Sequence, residues 1–269
     1  MTQAERDAAY NNIAAVPDSA ALTAARIAGS AAYRAAHPGH LDLPYGPGER
    51  TKWDLFPAAD PAAPCFVFIH GGYWQRGARE ENAVVATGLA AHGWSVALPG
   101  YTLTPEASLA QIVGEISAAL DWLQRENRAH GIAGPVLLSG WSAGGHLAAM
   151  ALSHPLVRVG LAISGLFELG PIRDTYLNEK LRLTEDEIAT LSPRRLAPVA
   201  KPMSVAYGGD ELIALVNDSQ AVHAHRRPVD AVGEDLNLPG LNHFTIIGEL
   251  TRPDGALVQT ALRLAPHMA

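Results

Sequence analysis

Cysteine and charge are both scarce in this sequence. Of its 269 residues only Cys65 is a cysteine, which excludes an internal disulfide, and its apolar neighbours predict an inert buried thiol. Charged residues make up 17%, no Lys/Arg run is present, and the net charge is -7. This excludes the basic surface that binds nucleic acid or an anionic membrane. Hydrophobic residues reach 48%, so a large core is expected rather than disorder.

Long apolar runs and targeting signals are also missing. No uncharged apolar run approaches the roughly 20 residues that span a bilayer. The polar start Met1-Thr2-Gln3-Ala4-Glu5-Arg6-Asp7 lacks the basic and apolar parts of a secretory signal, which predicts a soluble, cytoplasmic protein. No His/Cys/Asp/Glu cluster has metal-ligand spacing, and no Gly-x-Gly-x-x-Gly follows a strand. The sequence therefore predicts neither a metal nor a dinucleotide cofactor.

Short apolar strands alternate with helical stretches along the chain. This rhythm predicts one α/β domain over residues 1–269, with a mainly parallel sheet covered by helices on both faces. A loop is expected around Pro38, Pro44 and Pro47. The predicted strands cover 51–56, 65–70, 94–98, 135–139, 157–163, 203–207 and 232–238, and the predicted long helices cover 108–130 and 255–264.

Two segments depart from this alternation. Residues 1–40 read as an Ala-rich N-terminal extension of one or two helices, interrupted near Pro17-Asp18-Ser19, where Asp18 or Ser19 can cap the second. Its composition leaves open whether it covers a site or contacts a partner subunit, and the oligomeric state stays open with it. Residues 167–198 form a small insertion, interpreted as either a lid or a surface connection. Within it Thr184 and Glu187 predict a capping box for a helix ending at Leu191.

The stretch Gly140-Trp141-Ser142-Ala143-Gly144-Gly145-His146 follows an apolar strand and leads into a helix-forming run. A Gly-x-Ser-x-Gly turn in this context is typical of a nucleophile elbow. The turn is so tight that the residues flanking the serine must be nearly free of side chains. Ser142 is therefore the predicted nucleophile of an α/β-hydrolase fold, and a plain glycine-rich turn is the alternative.

A second motif, His70-Gly71-Gly72-Tyr73-Trp74, also follows an apolar strand. Acyl transfer needs backbone amides directed at the developing oxyanion, and a His-Gly-Gly loop supplies them in α/β-hydrolases. We expect the amides of Gly72 and Tyr73, together with that of Ala143, to form the oxyanion hole. His70 is expected to hold the loop by hydrogen bonding rather than to transfer protons.

A serine nucleophile needs a base, and the base needs an orienting carboxylate. In this fold the acid and then the base follow the nucleophile along the chain. His243, in a loop after the last strand, is the predicted base, and His146 is expected to be buried behind Ser142. Asp210 and Glu211 both follow the 203–207 strand, and spacing alone cannot choose between them. Asp218 is a remote third candidate.

Together these residues resemble the kynurenine formamidase (arylformamidase) branch of the hormone-sensitive-lipase-like α/β-hydrolases. The resemblance implies Glu211 as the acid, because in that family it stands eight residues before a serine, here Ser219. It extends over nearly the whole chain, through Tyr10-Asn11-Asn12-Ile13-Ala14-Ala15-Val16-Pro17-Asp18, Asp54-Leu55-Phe56-Pro57, His70-Gly71-Gly72-Tyr73-Trp74, Pro99-Gly100-Tyr101-Thr102-Leu103, Ser142-Ala143-Gly144-Gly145-His146 and Asn242-His243-Phe244.

The expected function is hydrolysis of a small aryl formamide or ester by a Ser-His-acid triad. Aromatic side chains near the motifs could seat an aryl ring, and we predict this for Trp74, Trp141, Phe167 and Phe244. One alternative is a carboxylesterase for small aryl or short-chain esters, which would use the same residues. Another is a non-catalytic binding protein that keeps the fold, although such proteins typically lose the base or the nucleophile.

Overall fold

Eight strands form one sheet in the computed structural model, which describes residues 2–269. In chain order they are β1 (His40–Pro44), β2 (Lys52–Phe56), β3 (Cys65–Ile69), β4 (Ser95–Pro99), β5 (Val136–Trp141), β6 (Val157–Ile163), β7 (Met203–Gly208) and β8 (Asp235–Leu238). Across the sheet the order is β1-β2-β4-β3-β5-β6-β7-β8. β2 runs antiparallel to β1 and β4, and all other neighbours are parallel. The predicted, mostly parallel sheet is confirmed.

The central strands are apolar throughout because both of their faces are covered. In β3, Cys65, Val67 and Ile69 point into one core, whereas Phe66 and Phe68 point into the other. Such unbroken apolar runs are typical of parallel strands buried between two helical layers.

Eleven α-helices are present among residues 2–269. They are α1 (Gln3–Ala9), α2 (Asn12–Ala15), α3 (Ser19–Ala36), α4 (Ala86–Ala90), α5 (Leu109–Glu126), α6 (Ala143–Met150), α7 (Gly170–Arg173), α8 (Asn178–Leu181), α9 (Glu185–Leu191), α10 (Ile213–Arg226) and α11 (Ala256–Leu264). Helices α5, α6 and α10 cover one face of the sheet, and α4 and α11 cover the other. Short 3₁₀ segments lie at Arg79–Val85, Asn127–His130, Pro193–Arg195, Ile246–Leu250 and Ala265–Met268.

The structure corrects two expectations near the N-terminus. The predicted Pro-rich loop contains β1, a short edge strand that pairs with β2. Its side chains are alternately exposed and half-buried, so no apolar run marks it in the sequence. The extension forms three helices rather than one or two, and Asp18 stands at the N-cap of α3 without making a capping hydrogen bond through its side chain.

Helix α3 is fixed to the body of the fold by buried polar contacts. The Arg34 guanidinium lies 2.9 Å from the carboxylate of Asp54 on β2, whose side chain is fully buried. The Ser30 hydroxyl accepts a hydrogen bond of 3.2 Å from the amide of Val84. The N-terminal extension is therefore held against the sheet.

In the 167–198 insertion, the helix predicted from Thr184 is confirmed. The Thr184 hydroxyl accepts from the Glu187 amide, and the Glu187 side chain accepts from the Thr184 amide, which together form a capping box. The Glu187 carboxylate also accepts a hydrogen bond from the amide of Ala110 in α5. One glutamate therefore ties the insertion to the helical layer beneath it.

Candidate active site

Ser142 lies on a sharp turn between β5 and α6. Its φ of 57° and ψ of −121° are unusual for a residue with a side chain, as the elbow requires. A Cβ added to Gly140 would lie 2.1 Å from the carbonyl oxygen of Gly144. A Cβ added to Gly144 would lie 2.0 Å from that of Ile69. Glycine at both positions is thus a packing requirement of the turn.

His243 and Glu211 form a buried pair. The imidazole Nδ1 of His243 lies 2.8 Å from Glu211 Oε2, and neither side chain exposes more than 4% of its surface. The other carboxylate oxygen, Oε1, accepts from the Gly208 amide at 2.7 Å and from the Ser164 hydroxyl at 2.5 Å. Because three donors surround this carboxylate, its position is fixed at the end of β7.

The other two carboxylate candidates do not meet His243. The Asp210 side chain is exposed, and its amide bonds to the Leu241 carbonyl. Asp218 accepts hydrogen bonds from the amides of Phe167 and Glu168 and from the Arg194 guanidinium. Burial raises the pKa of Asp218. Asp218 therefore anchors the start of the insertion, and the structure pairs His243 with Glu211.

Ser142 and His243 line the same cavity. The indole nitrogen of Trp141 donates a hydrogen bond of 2.9 Å to the His243 carbonyl, which attaches the histidine loop to the residue before the serine. The Ser142 hydroxyl makes no hydrogen bond within residues 2–269. Hydrogen bonds between a nucleophile and its base are often loose in unliganded enzymes, and a free hydroxyl at this cavity is available to a bound carbonyl.

The loop after β3 brings unpaired amides to the same place. Gly72 has φ +122°, and a Cβ there would lie 2.1 Å from the Arg76 carbonyl oxygen. Tyr73 also has positive φ, and its hydroxyl donates to the Tyr10 carbonyl and accepts from Asn12. In the described part of the chain, the amides of Gly72 and Tyr73 have no acceptor. The amide of Ala143 opens helix α6, where no intrahelical acceptor exists.

Two histidines close to these motifs are buried and neutral. The His70 Nδ1–H donates to the Gly71 carbonyl at 2.8 Å, which confirms the predicted hydrogen bond within the loop. Burial lowers the pKa of His70 to about 3. His146 is fully buried as expected, its Nε2–H donates to the Leu191 carbonyl at 2.8 Å, and burial lowers its pKa to about 4.

The cavity beside Ser142 has a volume of about 480 Å³, within the range of small-molecule sites. Of the four aromatic residues predicted to contact substrate, Trp141 and Phe244 line it. The structure does not bring Trp74 and Phe167 there, because both side chains are fully buried in the core. Two successive residues with positive φ, Tyr73 and Trp74, turn the chain, and the Trp74 ring packs against His146 with centroids 5.0 Å apart.

The structure adds site residues that sequence reasoning missed. Ser164 follows β6 and bonds to Glu211, but a serine after a strand carries no distinguishing pattern. The N-terminal extension forms a wall of the cavity through Asn12, Ile13, Thr23, Arg26 and Ile27. This outcome agrees with one of the two possibilities left open above, namely that the extension covers a site.

Within residues 2–269, no three His, Cys, Asp or Glu side chains are grouped so that they could hold a metal ion. None of the helices in that range is both long and apolar enough to cross a bilayer.

Comparison with known proteins agrees with this architecture. The BD-FAE family model matches residues 55–155. The kynurenine formamidase of Salmo salar is 30% identical over 83% of this chain and 81% of its own length, and that of Danio rerio is 28% identical with the same coverage. Among solved structures, a candidate thioesterase of Silicibacter sp. TM1040 has a TM-score of 0.86 and 31% identity, over 94% of this chain and 97% of its own.

More distant structures share the fold. An esterase of the archaeon Pyrobaculum calidifontis has a TM-score of 0.76 at 18% identity, over 92% of each chain. The sheet topology and the serine elbow agree with that likeness. The chain has the α/β-hydrolase fold and belongs to the kynurenine formamidase family.

Proposed function

We propose that this protein hydrolyses a small aryl formamide, with Ser142 as nucleophile, His243 as base and Glu211 as the acid that orients the base. The observation that carries the proposal is the convergence at one cavity of Ser142 and a histidine already bonded to a buried carboxylate. Membership of the kynurenine formamidase family supports the formamide as substrate.

The proposed reaction has two halves. Ser142 Oγ attacks the carbonyl carbon while His243 Nε2 takes its proton, and Glu211 stabilises the imidazolium that forms. The amides of Gly72, Tyr73 and Ala143 donate to the oxyanion of the tetrahedral intermediate. His243 then protonates the departing arylamine nitrogen, which breaks the C–N bond and leaves a formyl ester on Ser142. Water, deprotonated by His243, releases formate and restores the serine.

A carboxylesterase activity is the second candidate, because esters and activated amides pass through the same tetrahedral intermediate. It is supported by an esterase of Fusarium pseudograminearum, 30% identical over 135 residues, and by the likeness to the Pyrobaculum esterase. The two candidates differ in what fills the cavity, since a formyl group needs little space and leaves the cavity to the aryl amine.

Replacement of Ser142 by alanine tests the chemistry. We expect Ser142→Ala to lower the kcat/KM for an activated aryl ester by several orders of magnitude, with a residual rate from binding and the oxyanion donors. Unchanged turnover would exclude Ser142 as the nucleophile. Comparison of kcat/KM on N-formylkynurenine and on a short p-nitrophenyl ester tests the substrate, and absent deformylation would leave only the esterase.

A further inference from the structure

Arg26 stands in the wall of the cavity without a polar partner. Its guanidinium carbon lies 5.0 Å from the centroid of the Trp141 ring, beside the residue that precedes Ser142. In the described chain no carboxylate or carbonyl accepts from it, and its Nε is shielded from solvent and unbonded. A half-buried arginine carries five N–H donors and normally has acceptors for them, so the donors of Arg26 are available to a group bound in the cavity.

The remaining charges of the cavity leave an excess of positive charge. Besides His243, its charged lining residues are Arg26, Arg76 and Glu81. Burial lowers the pKa of Arg26 and the charge of Glu81 acts to raise it, yet Glu81 makes no ion pair or hydrogen bond with Arg26. Two cations and one anion around the cavity favour an anionic group in the ligand.

Arg26 is also held in place. It lies four and eight residues before Ser30 and Arg34, so the three share one face of α3. Ser30 and Arg34 fix that face through Val84 and Asp54. A preorganised guanidinium loses less freedom on binding than a mobile surface arginine would.

We infer that Arg26 is a specificity-determining residue that binds a carboxylate on the leaving group of the substrate. The inference rests on the proposed function in one respect: a formyl group is too small to carry a second functional group, so the anion must belong to the arylamine. A guanidinium matches a carboxylate with two parallel N–H···O bonds, which selects it over neutral groups of the same size.

The test uses two formanilides that differ only in charge. One carries an ortho carboxyethyl chain, and the other carries the corresponding primary carboxamide. For the wild-type chain we expect a higher kcat/KM on the carboxylate. In Arg26→Gln the ratio of the two kcat/KM values should fall by about 10- to 100-fold, as expected for loss of charge-assisted hydrogen bonds. Arg26→Lys keeps the charge without the planar fork and should give an intermediate ratio.

Arg125→Gln is the matched control, because Arg125 is exposed on α5 and does not line the cavity. It removes the same charge and should leave the ratio unchanged. Thermal unfolding of each variant identifies misfolding. If Arg26→Gln is misfolded, the ratio measured for Arg26→Lys decides whether the inference holds. A ratio that is the same in the wild type and both Arg26 variants overturns the inference. A wild-type chain that cleaves neither formanilide overturns the proposed function, and this inference with it.

Discussion

Replacement of Glu211 by glutamine should abolish most activity although it changes only one atom of the carboxylate. Oε1 accepts from the Gly208 amide and from the Ser164 hydroxyl, whereas Oε2 accepts from His243 Nδ1. A glutamine must direct its oxygen toward Gly208, since a backbone amide can only donate. Its NH₂ group then faces His243.

This orientation imposes the wrong tautomer on the histidine. With a donor facing Nδ1, the imidazole carries its proton on Nε2 and cannot accept the proton of Ser142. Replacement of the triad aspartate by asparagine in a serine protease, the corresponding carboxylate-to-amide change, lowers kcat by about 10⁴-fold, which corresponds to roughly 5.5 kcal/mol in the activation free energy. We expect a loss of that size here, with the fold intact because all three side-chain contacts have acceptable replacements.

The assay is kcat/KM on a p-nitrophenyl ester, with thermal unfolding measured in parallel. Asp210→Asn is the matched control, because Asp210 is adjacent in sequence but exposed. It should retain activity within a few-fold. If Glu211→Gln keeps more than about a tenth of the wild-type rate, or if Asp210→Asn is the inactive variant, the tautomer argument fails.

Two further predictions concern buried polar groups. Ser164→Ala removes one of the three donors to Glu211 and should lower kcat/KM by about tenfold. In the Glu211→Gln background the same substitution should lower kcat/KM much less. If the effects of the two substitutions on kcat/KM are fully additive, Ser164 does not act through Glu211. The pKa of His146 is lowered by burial to about 4, below its unfolded value of about 6.5. Below about pH 6.5 the unfolded state therefore binds the extra proton, and His146 alone should lower the stability by roughly 1.4 kcal/mol per pH unit down to about pH 4. The free energy of unfolding of His146→Gln should depend less on pH over that range, and an unchanged slope would refute the assignment.

Much of the fold could be predicted from the sequence, since its signals are local. Apolar strands, the glycines around Ser142 and the Thr184 capping box each specify their structure within a few residues. The short edge strand β1 was not predicted, because it is a strand through its pairing with β2 rather than through a pattern in its own sequence. The chain order of the fold also located His243 and narrowed the acid to Asp210 or Glu211. The contacts around the carboxylate then pair Glu211, rather than Asp210, with His243.

Side-chain direction was harder to predict than position along the chain. Trp74 and Phe167 lie next to site residues in sequence, yet the backbone directs both rings into the core. Ser164 and Arg26 reach the site from segments with no motif. Ser164 lies near the site because β6 and β7 pair, and Arg26 lies there because α3 folds back over the sheet. Local sequence patterns do not predict either arrangement.

The site therefore has two parts of different origin. The residues proposed for chemistry sit at the carboxyl ends of strands β3, β5, β7 and β8, where the sheet itself fixes their separation. The wall that contains Arg26 comes from a helix outside the sheet, attached through Asp54 and Val84. The BD-FAE match, residues 55–155, includes the His70 loop and the Ser142 elbow but none of α3. Because Arg26 lies on α3 and the residues proposed for chemistry follow strands, a substitution at Arg26 can change substrate selectivity while the hydrolytic centre stays the same.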